Sequence, residues 1–144
     1  MIELNNKTEH EIDEALIIQI VKKFLRDYDR KNYSISIAIV GSTEIQKINN
    51  EYRNKNCVTD VLSFVNDEDG QDFLEGVEKD KYLGELVICY SKIKEQARKY
   101  SDNIRDEFIF ILVHGLLHLV GHEDRNDVGI EEMKKKGEEF IKTL

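Results

Sequence analysis

The feature that most limits what this chain can become is an apolar run from Phe108 to Val120, broken only by His114, Gly115 and His118. It is too short to span a bilayer and suits a helix buried in a folded core. Two histidines at i and i+4 on such a helix project from one face, a single turn apart. Their neighbours are hydrocarbon, so both rings rest against a low-dielectric wall where an unpartnered polar group is costly. A divalent cation shared by the pair removes that cost, and a metal site is therefore expected. The bland alternative is two core histidines, each bonded to a backbone carbonyl. It is weakened by the further ligand types at His122 and Asp124.

A third ligand has to come from beyond the helix. If the helix simply continued, His122 would lie about 12 Å along the axis from His114, at ~1.5 Å per residue. Three histidines strung out in that way converge poorly on one ion. Gly121 offers a better route, because a glycine just past a helix takes the left-handed conformation and turns the chain sharply. His122, Glu123 and Asp124 can then fold back toward the two rings. The resulting pattern, H-x3-H-x2-G-x2-D, has the three-ligand geometry of the long zincin motifs. Asp124 is the expected third ligand and His122 the reserve. A zincin peptidase carries glutamate directly after its first histidine, to deprotonate water. Gly115 stands there instead, so peptide hydrolysis by that route lacks its base and would need a displaced one such as Glu123.

The rest of the chain frames this helix. At 144 residues it is sized for one domain, residues 1–144, with a substantial core. Apolar residues recur at the helical period from Glu11 to Tyr28, and Ser34 to Val40 alternates as a half-buried strand does. Ser42 or Thr43 is expected to cap a helix reaching about Tyr52, with Ile45 and Ile48 inward. Val61 to Val65 and Glu85 to Tyr90 are read as strands. The acidic stretch between them, residues 66–81, is read as a mobile surface loop. Ser91 to Tyr100 is read as a helix, and Asp102 or Asn103 starts the apolar helix that carries the histidines. Glu131 to Leu144 closes the chain as a helix with Met133, Phe140 and Ile141 facing the core. Strands early and helices late predict an α+β fold, a mixed sheet of about four strands packed against several helices.

Composition narrows the partners. The N-terminus lacks a basic start and an apolar core, so no signal peptide is expected, and the cysteine usage makes a reducing cytoplasm the default. Cys57 and Cys89 form neither a disulfide framework nor a CxxC pair, and both are expected to be inert. A net charge of −8 disfavours indiscriminate binding to nucleic acid, which relies on a basic face. Any RNA contact must be a small local patch assisted by a metal or a partner. Lys134, Lys135 and Lys136 are read as a solvated helix face, and His10 as a surface residue.

His114-Gly115-Leu116-Leu117-His118-Leu119-Val120-Gly121 resembles the signature of the bacterial YbeY family, HGxLHLxG followed by YDH. Tyr52-Arg53 with Thr59-Asp60-Val61-Leu62-Ser63-Phe64 resembles its second block, and Leu83-Gly84-Glu85-Leu86-Val87-Ile88 its third. The match in order and spacing runs roughly from Ser34 to Met133. The resemblance implies a zinc-dependent endoribonuclease of single-stranded RNA, acting in ribosomal RNA maturation and ribosome quality control. It implies ribosomal RNA and the small ribosomal subunit as partners, with neither membrane nor DNA. It also makes Arg53 a residue important for activity, one whose guanidinium can hold a phosphate by two hydrogen bonds and stabilise charge growing on it. Ser63 and Thr59 could bond phosphate or merely their own turn. The chain departs from the family where Asp124 replaces a third histidine, and where Val58 and Val65 replace two prolines. Aspartate is an acceptable zinc ligand; it leaves the ion about one unit less positive and makes a harder metal more accessible. A ribosome-assembly binding factor with a structural metal is the competing expectation.

Overall fold

The alternation in Tyr33–Val40 places the centre of the fold. Ile35, Ile37 and Ile39 all point one way and are at most 1% exposed, so this strand must lie inside a sheet covered on that face. The computed structural model describes residues 1–66, 81–100 and 102–144, so the expected loop over residues 66–81 falls almost wholly outside the described residues. Within them the order is β1 (Ile2–Asn6), α1 (Glu14–Asp27), β2 (Tyr33–Val40), α2 (Ser42–Arg53), β3 (Val61–Val65), β4 (Lys81–Cys89), α3 (Tyr90–Lys99), α4 (Ile104–Leu119) and α5 (Asp127–Ile141). The four strands form one mixed sheet in the order β1-β2-β4-β3. β1, β2 and β4 are parallel, and β3 runs antiparallel along β4 at the edge. The expected α+β fold with a four-stranded mixed sheet is what the chain adopts.

The main core lies on one face of the sheet. Ile35, Ile37 and Ile39 of β2, with Leu86 and Ile88 of β4, meet α1, α4 and α5 there. On the opposite face α2 covers a smaller cluster around Ile45, Leu62, Val87 and Cys89. α4 is buried over most of its circumference, with Leu112, Val113, Leu116 and Leu117 fully enclosed. At Gly115 the helix comes down on the sheet. A Cβ there would stand 3.0 Å from Leu86 Cδ2 and 3.3 Å from Val61 Cγ2. On β4, Gly84 adopts φ +146°, and a Cβ at that position would lie only 2.2 Å from the Phe64 carbonyl oxygen.

Several boundaries differ from expectation. β1 was not foreseen; it is short and half polar, and its pairing with β2 defines it. α1 starts at Glu14 and not Glu11, where the Asp13 carboxylate accepts the Leu16 N–H. The N-cap of α2 is Gly41, which offers no side-chain cap, while the Ser42 hydroxyl sits 3.8 Å from the Cys89 sulfur. β4 begins at Lys81, earlier than Glu85. α5 begins at Asp127 and not Glu131, because Asn126 caps it by accepting the Gly129 N–H. His10 is not a simple surface residue: its Nε2 lies 3.2 Å from the Ser91 hydroxyl and its ring packs on Tyr90. Lys134, Lys135 and Lys136 are solvent-exposed, as read from the sequence.

Gly84→Ala should lose at least about 2 kcal/mol of stability, since the new Cβ meets backbone at a left-handed φ. Urea unfolding should show a lower midpoint with an unchanged m-value; a wild-type midpoint would contradict this account.

Candidate metal centre

Asn103 starts α4 by accepting the N–H groups of Arg105 and Asp106, and the carboxylates of Asp106 and Glu107 complement the helix dipole in the first turn. The helix runs for 16 residues and stops in a complete Schellman turn. The Gly121 N–H donates to the His118 carbonyl and the His122 N–H to the Leu117 carbonyl, each at 3.1 Å, with Gly121 at φ +100°. That turn does two things for the histidines. Its His122 carbonyl lies 3.1 Å from His118 Nδ1. A carbonyl can only accept, so Nδ1 carries the proton and Nε2 keeps its lone pair. The turn also folds the chain back, as expected, so that Asp124 Oδ2 lies 3.6 Å from both His114 Nε2 and His118 Nε2.

The two Nε2 atoms are 3.2 Å apart. A tetrahedral ion with bonds of about 2.0–2.1 Å holds neighbouring ligand atoms roughly 3.3 Å apart. The His114–His118–Asp124 group therefore has the spacing of a three-ligand site and could hold a divalent metal ion. Both imidazoles are about one-quarter exposed and Asp124 rather more, so the group opens to solvent on one side. Burial pushes the His114 pKa below the ordinary imidazole value, and the charge of His118 acts in the same direction, against the opposing pull of Asp124 and Asp60. The neutral ring is the form a metal binds. His122, the reserve ligand, does not join the group and sets its ring edge-on to Tyr28. The position of Asp124 is itself held from behind. Gly129 packs so closely on the turn that a Cβ there would stand 2.5 Å from the Glu123 carbonyl oxygen.

The group sits in a cleft of about 1230 Å³ that extends to Arg53 at the end of α2. Arg53 Nη2 donates to the Ser63 carbonyl at 2.7 Å, and its guanidinium lies over the Phe64 ring at 5.4 Å. One of its five N–H donors is thus used to fix its direction, and the fork stays exposed. Ser63 reaches the helix from the edge strand, its hydroxyl donating to the Gly115 carbonyl at 3.4 Å. The Thr59 hydroxyl turns to Asp60. Cys57 is an exposed free thiol on the cleft wall and Cys89 is buried, also free. Gly115 gains a second meaning: where a zincin base would branch from the helix, Leu86 and Val61 of the sheet fill the space. Phe110 and Asp60 also line the cleft but were given no role from sequence. The signal for Phe110 was present, four residues before His114, but within an apolar run it reads as core.

A sequence profile described as "Endoribonuclease YbeY" matches residues 2–144. Similar proteins named "Endoribonuclease YbeY" include one from Staphylococcus carnosus, 37% identical over 131 residues that span 91% of this chain and 82% of that protein. Another, from Finegoldia magna, is 36% identical over 143 residues, 94% of this chain and 90% of its own length. The solution structure of TM1509 from Thermotoga maritima superposes with a TM-score of 0.58 at 25% identity, covering 98% of this chain and 89% of that one.

The lowered His114 pKa has a consequence for the metal-free chain. The unfolded chain binds the proton first, at roughly pH 6.5, so this residue's share of stability is present above that pH and lost as pH falls toward the folded value. Between pH 7.5 and 5.5 the urea midpoint of metal-free wild type should fall further than that of His114→Asn. Equal falls would show that His114 is not desolvated as described.

Proposed function

Because this chain belongs to the YbeY endoribonuclease family, we propose that it cuts single-stranded RNA with a divalent ion held by His114, His118 and Asp124. The observation that carries this function is the convergence of three ligand atoms, spaced for one ion, in the same open cleft as an exposed and oriented arginine. When bound, the ion supplies Lewis acidity toward phosphate oxygen and water. Arg53 holds the scissile phosphate and offsets the charge that grows on it during cleavage. Ser63 serves the substrate through its carbonyl, which aims Arg53, while its hydroxyl ties the edge strand to α4. Zinc is the proposed ion, since two imidazoles and a carboxylate suit it. Residues 1–144 work as one domain in the cytoplasm. The proposed substrate is ribosomal RNA during maturation and quality control of the small ribosomal subunit. This follows the YbeY membership, and no helix among the described residues is long and apolar enough to cross a membrane.

Charge supports a role for the ion in binding as well as in chemistry. On a chain of net charge −8, the cleft wall carries Arg53, Lys55 and Arg125 against Asp60, Glu123 and Asp124, an even balance. Arg125 is moreover committed to Glu123 at 3.2 Å. A divalent ion tips that balance positive where a phosphate must sit. Three protein ligands among the described residues leave a coordination position open, which favours the enzyme over a binding factor with a closed structural site.

Metal analysis and cleavage of a single-stranded RNA test the assignment together. His118→Ala and Asp124→Ala should each lose stoichiometric metal, whereas His122→Ala should keep it; the reverse for the last two would replace Asp124 as ligand. Arg53→Ala should retain full metal and lose about 10²–10³-fold in cleavage rate, the cost of removing one donor to transition-state charge. Normal cutting by Arg53→Ala would refute its role.

A further inference from the structure

The wall of α4 carries a residue that the metal group does not use. Phe110 precedes His114 by one helical turn, and its ring runs nearly parallel to the imidazole, at 23° with 6.2 Å between centroids. Phe108, two residues earlier, is turned into the core at 8% exposure. Phe110 is only half-buried and lines the cleft. The other phenylalanine of the described lining, Phe64, has the Arg53 guanidinium over its ring and Tyr52 against its edge.

Charge is distributed unevenly along the same cleft. Arg53 and Lys55 stand at the end of α2 and just beyond it. On the α4 side, the lining residues that precede His114 are the apolar Phe110 and Ile111. A phosphate is drawn to the basic end, whereas a neutral nucleobase suits the apolar one.

We infer that Phe110 is a nucleobase-stacking subsite, holding the unpaired base next to the phosphate gripped by Arg53 and the His114–His118–Asp124 group. The inference rests on the endoribonuclease function proposed above and gives its substrate a second point of attachment. An aromatic face accepts every base and requires it to be unpaired, so the subsite selects single strands with little regard to sequence.

The test is binding of a labelled single-stranded oligoribonucleotide to the metal-loaded chain. Phe110→Leu keeps an apolar side chain against the core but has no π face; Phe110→Tyr keeps both. The leucine variant should bind about 5- to 150-fold more weakly with unchanged metal content, and the tyrosine variant like wild type. An abasic nucleotide walked along the RNA should, at one position, weaken wild type by a similar factor and weaken Phe110→Leu no further. Wild-type binding by the leucine variant, or an equal abasic loss in both proteins, overturns the subsite. Cleavage measured in parallel separates the two ideas. A wild type that binds by this pattern but does not cut refutes the nuclease and upholds the subsite, while one that binds no RNA refutes both.

Discussion

The candidate site depends on how closely α4 lies on the sheet. At Gly115 the helix carries no side chain, so Leu86 and Val61 pack against its backbone and the Ser63 hydroxyl reaches its carbonyl. That contact is one residue from His114. The direction of the two imidazoles follows from the rotation of the helix, and the rotation follows from Leu112, Val113, Leu116 and Leu117, all enclosed. Each such side chain contributes about 1.5–3 kcal/mol by leaving water. Turning the helix enough to aim the histidines elsewhere would expose several of them together. The hydrophobic core thereby sets the geometry of a polar site, without any need for a hydrogen bond to every ligand.

Local chemistry made the histidine pair, the glycine turn and the α4 start legible from sequence. Gly121 takes the left-handed conformation its position suggested, Asn103 caps the helix, and Asp124 returns to the rings. Each of these follows from residues within one or two turns of one another. What escaped was non-local. β1 has only Ile2 and Leu4 as apolar alternation, and its identity comes from pairing with β2 more than thirty residues on. Arg53 could be nominated from its resemblance to a family block. That it is aimed by the Ser63 carbonyl depends on β3 lying at the sheet edge, which no spacing reveals. Gly115 was legible as a missing base; its packing against β3 and β4 was not.

The electrostatics of the cleft and of the whole chain point in different directions, and this is physically useful. Excess negative charge over the surface keeps RNA from adhering broadly. Within the cleft, fixed charges of both signs nearly cancel, so the ion proposed there decides whether phosphate is welcome. Affinity is then concentrated at the place where chemistry occurs.

The turn that ends α4 lies outside the packed core, yet it supplies Asp124 and the carbonyl that orients His118. His114 and His118 are thus anchored in a filled interior, while Asp124 rides on a short surface turn braced by Gly129. Asp124 is itself exposed, so a replacement there leaves the core packing in place. The architecture separates what must stay rigid from what can vary, and leaves the chemistry of the proposed site open to evolutionary adjustment without refolding the protein that carries it.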